Sequence, residues 1–185
     1  MSKRTAGVLM HVSSLPGPFG VGGFGEDALH FIDFLKETRF TYWQVLPFHP
    51  VDEVNSPYKS ESAFAGNYLF IDPVSLMKDG LVSQEDVNAC CYNGTPYTAD
   101  YNFAREKKLA LLKKAYSNIG EKEKQAVSAF AKEHFWVEDF ALFKAVKDNN
   151  GETPWWKWND SQRDYKTCVQ NKEQYAEQMN FWAFV

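Results

Sequence analysis

No stretch of this sequence approaches the run of about 18 apolar residues that a membrane-spanning helix needs. The opening "MSKRTAGVLMHVSS" lacks an apolar core followed by a cleavage site, so it does not read as an export signal. Cysteine is scarce: of three, Cys90 and Cys91 are adjacent, which makes no disulfide framework and suits a reducing cytosol. The four histidines (His11, His30, His49, His134) stand apart, with no Cys, Asp or Glu at a metal-ligand spacing, so no metal is expected. Excess positive charge is missing too. A formal net charge of −4 supplies no basic surface, and neither nucleic acid nor a membrane is expected as a partner. What remains is a globular composition over 185 residues, 44% apolar with a high 16% of aromatics.

The order of elements divides the chain in two. The apolar run "AGVLMHVS" at 6–13 reads as a buried strand. "EDALHFIDFLKET" places Ala28, Phe31, Ile32 and Leu35 at helical spacing, with Glu26 and Asp27 in a first turn whose dipole favours negative charge. "YWQVLPF" at 42–48 reads as a second strand, stopped by Pro47 and Pro50. That order is a βαβ unit, which is normally parallel and right-handed. After Val74 no further strand is expected. Ser83 and Asp86 form a capping box, Asp100 caps a long helix bearing Phe103, Leu109, Leu112 and Tyr116, and two more helices follow, closed by Gly151. "TPWWKWND" reads as a loop, and a last helix begins near Lys172 and still runs at Val185 without a cap. The fold class is α/β, with a first βαβ unit over 1–80 and a helical subdomain over 81–185.

Within "GPFGVGGFGED" lies Gly20-Val21-Gly22-Gly23-Phe24-Gly25, a literal G-x-G-x-x-G. Such a motif cradles a dinucleotide when it directly follows a strand and an acid lies about 20 residues on. Here six residues, two of them proline, intervene between the strand and Gly20, and the second strand ends in "VLPFHP" with no carboxylate at its tip. Glu26 and Asp27 occupy the helix start where a pyrophosphate would need bare amides. Gly20, Gly22 and Gly25 are therefore read as a structural turn, and no cofactor is expected. In the next loop Asp52 and Glu53, with Glu61 nearby, imitate a catalytic pair. Their setting reads as a solvated loop without a general acid.

Three stretches carry a family resemblance: "GVLMHVSSLPGPFGVGGFGEDALHFIDFL", "YWQVLPFHPV" and "SPYKSESAFAGNYLFIDP". In this order and spacing they resemble the start of the 4-α-glucanotransferases (amylomaltase or disproportionating enzyme) of the α-amylase clan. The likeness is dense over 5–77 and looser afterwards, where the three tryptophans near 155 and "QMNFWAFV" still fit. It implies the N-terminal part of a (β/α)8 barrel followed by a helical insertion over the active-site face. It also implies transfer of an α-1,4-glucan segment to the 4-hydroxyl of another glucan, with retention through a covalent intermediate. Retention needs two carboxyls roughly 5–5.5 Å apart, and in the family these follow later strands, so no catalytic residue is expected before Val185.

Among the residues present, the resemblance makes Tyr58 a ring packing on a pyranose at the donor side. Ser56 and Asn67 become hydrogen-bonding partners of sugar hydroxyls. By residue type alone Tyr58 would be an ordinary half-buried loop aromatic. The implied partner is a maltooligosaccharide or longer α-1,4-glucan, and the alternative is a non-catalytic glucan-binding fragment. "DEVNSPY" departs from a Gly-Tyr-Gly that many relatives carry ahead of S-P-Y. A second idea concerns the tryptophans: Trp156 and Trp158 would share one face of a carbohydrate platform only if their segment were extended. Otherwise they anchor the subdomain. Cys90 and Cys91 read as small filler at a helix end.

Overall fold

A computed structural model describes residues 4–95 and 97–185. Two compact units divide the chain, residues 1–118 and 119–185. The helices between 73 and 117 belong to the first unit, packing on one another and on the 3-10 turn at Tyr68–Phe70.

The first unit opens with β1 (Gly7–Leu9), followed by α1 (Glu26–Glu37) and β2 (Tyr42–Gln44). The strands pair in parallel, Gly7 opposite Tyr42 and Leu9 opposite Gln44, as a βαβ unit requires. Both strands are shorter than the apolar runs suggested. After Met10 the chain tightens into a 3-10 turn over Val12–Ser14, and Pro47, which has no amide to donate, lies past the end of β2. The ladder still reaches one step further, since the Met10 amide donates to the Gln44 carbonyl at 3.0 Å and Trp43 Nε1 donates to the Met10 carbonyl at 2.8 Å. Val12, Leu15, Val21, Ala28, Leu69 and Phe70 form the core beneath.

Helices α2 (Pro73–Lys78), α3 (Gln84–Ala89) and α4 (Tyr101–Ser117) complete this unit. The sequence reading passed over α2, yet Asp72 accepts from the amides of Val74 and Ser75, and Pro73 occupies the first helical position that favours it. The capping box of Ser83 and Asp86 forms, and Asp100 accepts from the Phe103 amide at 2.9 Å. Cys90 caps the end of α3 and is buried. The buried face of α4 holds Leu112, one of the residues its spacing brought out, together with Ala104, Lys108, Leu111 and Ala115. Small side chains let α4 approach the glycine turn closely, and Lys108 Nζ donates to the carbonyls of Leu69 (2.5 Å) and Ile71 (3.1 Å). Burial pulls the Lys108 pKa down to about 8.

The second unit contains α5 (Glu121–Glu133), α6 (Val137–Asn149), α7 (Asp160–Arg163), α8 (Tyr165–Gln170) and α9 (Ala176–Phe184). Gly151 closes α6 with φ +60°, the left-handed value that glycine tolerates at a helix end. The last helix was expected from about Lys172; a 3-10 turn over Lys172–Tyr175 leads into α9. Helices α7 and α8 were not expected, being too short to show a period, although Asn159 and Asp164 cap them. The core joins Leu142, Ala145 and Val146 of α6 to Trp158, Cys168 and Tyr175. Among the described residues no helix is long and apolar enough to cross a membrane.

Candidate functional site

Because β1 and β2 run parallel, the segments that follow them emerge at one end of the sheet. His11 follows β1 there, and the loop at 48–67 follows β2. They meet directly: the His11 ring stacks on Phe48 at 6.1 Å and meets Phe70 edge-on at 5.4 Å. Phe24, from the glycine-rich turn, joins them with its ring 5.1 Å from that of Phe48. Burial lowers the His11 pKa, which favours the neutral imidazole, and its Nδ1 is buried without a hydrogen-bond partner. Sequence reasoning assigned His11 no role. The one available signal was a polar residue closing the apolar run "GVLM" at a strand end.

The glycine-rich turn itself has the character of a structural hinge. Gly20 sits at φ +81°, and a Cβ on Gly22 would come within 2.1 Å of the Val12 carbonyl oxygen, so a side chain there is excluded. Gly25 precedes α1 as its cap residue. A cavity of about 160 Å³ beside the turn is lined by Glu26, Asp27, His30, Asp72 and Lys108 among others.

The loop after β2 is pinned at its base. The Asn67 amide donates to the Phe48 carbonyl at 2.8 Å, closing the loop's two ends, and its Oδ1 accepts from the Leu69 amide at 3.0 Å. Asn67 is only 6% exposed, and its Nδ2 is the one group of that carboxamide still lacking a partner. His49 Nδ1 lies 3.2 Å from the Ala65 carbonyl.

Asp52 departs from expectation. Instead of a solvated loop carboxylate it is a buried hub. Its Oδ1 accepts from the amides of Val54 (3.1 Å) and Ser56 (3.3 Å), Lys59 Nζ stands 3.0 Å from its Oδ2, and its carbonyl accepts from Arg105 Nη2 at 2.7 Å. Burial alone would raise its pKa, but the hydrogen bonds from Lys59, Ser56 and Val54 outweigh burial and hold it low. Held low in this way, Asp52 acts as an anchor of the loop.

On this base the tip projects outward. Tyr58 is 74% exposed, and Ser56, partly buried, brings its Oγ to 3.4 Å from the Tyr58 amide, a long contact that leaves the hydroxyl largely free. Tyr58 and Ser56 thus share the tip, while Asn67 lies at the base. Among the described residues no cluster of His, Cys, Asp or Glu could hold a metal ion.

In the second unit the segment at 155–158 is not extended: a 3-10 turn covers Trp155–Lys157. The pairing of Trp156 with Trp158 on one face is therefore not formed. Trp158 turns into the core, its Nε1 donating to the Thr153 carbonyl at 2.8 Å, while Trp155 and Trp156 stay exposed.

Comparison with known proteins places these features in a wider group. The sequence profile of the 4-alpha-glucanotransferases matches residues 10–185. A 4-alpha-glucanotransferase of Aquifex aeolicus is 41% identical over 160 residues, which is 85% of this chain and 32% of that protein. A 4-alpha-glucanotransferase of Thermus thermophilus is 41% identical over 98% of this chain and 37% of its own length. Among solved structures, an amylomaltase from Streptococcus agalactiae in complex with acarbose superposes with a TM-score of 0.90 at 36% identity, covering 98% of this chain and 38% of that one. The chain thus spans about a third of the length of these relatives.

Proposed function

The chain belongs to the 4-alpha-glucanotransferase family, and from that premise we propose that it forms the donor-side wall of a glucan cleft in a transglycosylase acting on α-1,4-glucans. In this reading β1, α1 and β2 begin a (β/α)8 barrel, and His11 with the 48–67 loop lies on its C-terminal face, where such barrels hold their active sites. Tyr58 packs flat on a glucose ring and Ser56 bonds a hydroxyl, while Asn67, its Nδ2 buried, holds the loop base beneath them. A segment is cut from one glucan and passed to the 4-hydroxyl of another with retained configuration. The nucleophile and the acid/base belong to parts of the family's length outside this chain. A cytoplasmic site of action is part of the same reading.

The carrying observation is the contrast within one loop: a base fastened at Asp52, Asn67 and His49, and an aromatic tip at Tyr58 left to solvent. Holding a loop rigid while exposing its ring lowers the entropy lost when a ligand binds. Acarbose, the ligand of the Streptococcus agalactiae structure, is the natural probe. Titrating the chain with acarbose should shift the backbone amides of residues 48–67, and Tyr58→Ala should weaken binding about tenfold while Tyr58→Phe keeps most of it. Unmoved loop amides would overturn the donor-side reading. Glucose and longer dextrins made from maltotriose by this chain alone would overturn the placement of the catalytic carboxylates.

A further inference from the structure

The second unit carries an aromatic groove that the donor-side reading leaves unused. Leu142 and Val146 of α6 form its floor with Trp158, and Trp155 and Tyr165 line its mouth, 54% and 60% exposed. Its volume is about 290 Å³, near the lower end of the roughly 300–1,000 Å³ of small-molecule sites. Asp139, Gln162 and Arg163 supply a polar rim. The groove is held in shape: the Trp158 amide donates to the Trp155 carbonyl at 3.1 Å, and Trp155 meets Trp156 nearly perpendicular, ring centres 6.1 Å apart. Tyr165 is steered by its hydroxyl, which donates to Asp139 Oδ1 at 2.8 Å.

We propose that this groove holds a segment of α-1,4-glucan, with Trp155 and Tyr165 against the apolar faces of glucose units and Asp139, Gln162 and Arg163 bonding their hydroxyls. The lining decides the ligand class. A pyranose presents C–H groups on its faces and hydroxyls around its edge, so it needs flat apolar rings beside both acceptors and donors. Asp139 retains lone pairs beyond the Tyr165 bond; Arg163, paired with Asp160, keeps further guanidinium donors; and Gln162, whose Oε1 accepts from Asn159 Nδ2 at 2.7 Å, keeps its Nε2 donors. An apolar peptide laid here would strip water from Asp139 and Arg163 without replacing those hydrogen bonds, at a cost that disfavours it. That the sugar is α-1,4-linked rests on the glucan-acting reading above.

The test is a titration of the 185-residue chain with maltoheptaose, read by NMR at the indole Nε1–H of Trp155 and at the backbone amides of 48–67. The Trp155 signal should shift saturably. Trp155→Ala and Tyr165→Ala should each weaken that binding about tenfold, and Trp155→Phe, which keeps a flat ring, should recover most of it. Both side chains are more than half exposed, so these variants leave the core of the unit in place. A still Trp155 signal beside shifting loop amides would overturn the groove and leave the donor-side reading intact. A shifting Trp155 beside still loop amides would do the reverse, and stillness at both would overturn both. Equal affinity for cellohexaose, a β-1,4 chain, would overturn the commitment to an α-1,4-glucan.

Discussion

In the first unit Leu29, Ile32 and Phe34 of α1 stand exposed, as do Leu9 and Tyr42 on the strands; in the second unit the large exposed apolar residues are all aromatic. The difference follows from what each kind of structure can cover. A parallel sheet is ordinarily buried on both faces, and two strands with one helix cannot bury both. In the helical unit α6 and α9 pack along their length and enclose a shared core. Aliphatic side chains on α1 and β1 are thus left uncovered in the first unit, whereas in the second the exposed apolar surface is that of aromatic rings.

Replacing one buried leucine in each core measures the comparison most strongly. Leu69→Ala and Leu142→Ala remove side chains 1% and 4% exposed, and each should cost about 2–5 kcal/mol in its own unit, read by hydrogen exchange at α4 and α6. A cost well below that for Leu69 would mean that the first unit's core is loosely packed and that its open surface reaches inward.

Acidity should separate the units next. In the second, burial foremost, with the Glu152 carboxyl beside it, pushes Asp148 up to about 6, although Trp182 Nε1 donates to it at 2.7 Å. A carboxyl raised on folding stabilises below its unfolded value near 4 and loses that stability as pH climbs through about 6. In the first unit Asp52 is held low, so its contribution is present above an unfolded value near 4 and disappears as pH falls below it. Protection of α6 amides should therefore drop between pH 4 and 6, while that of the 54–56 amides drops only in stronger acid. Asp148→Asn should flatten the first profile and leave the second unchanged. A flat α6 profile in the unsubstituted chain would contradict the assignment.

The smallest effect expected is at a cap. Ser83→Ala removes the acceptor of the Asp86 amide and should cost about 1 kcal/mol, visible as faster exchange in α3 alone.

Much of this was legible in the residues. Helix α1, the capping box at Ser83, the cap at Asp100 and the stop at Gly151 are local devices whose chemistry lies within a few positions of chain, so spacing reveals them. Helices α7 and α8 escaped because one or two turns carry no period. On α4 the spacing brought out Leu112 but not Ala104 and Lys108, which face the core because the glycine turn and the carbonyls of Leu69 and Ile71 wait there, and neither partner is near in sequence.

"GPFGVGGFGED" shows where the line falls. The residues alone determined that it is a poor dinucleotide cradle, since prolines and two carboxylates stand where a tight turn and bare amides are needed. Tyr58, Ser56 and Asn67 were singled out only through the family resemblance, since by residue type alone Tyr58 is an ordinary loop aromatic. Only the tertiary structure decided that Gly22 touches the Val12 carbonyl, that Asp52 is a buried anchor and not a free carboxylate, and that Trp158 turns inward while Trp155 faces out. Those outcomes depend on contacts between distant residues, and burial is a property of the packed chain, which no local pattern encodes.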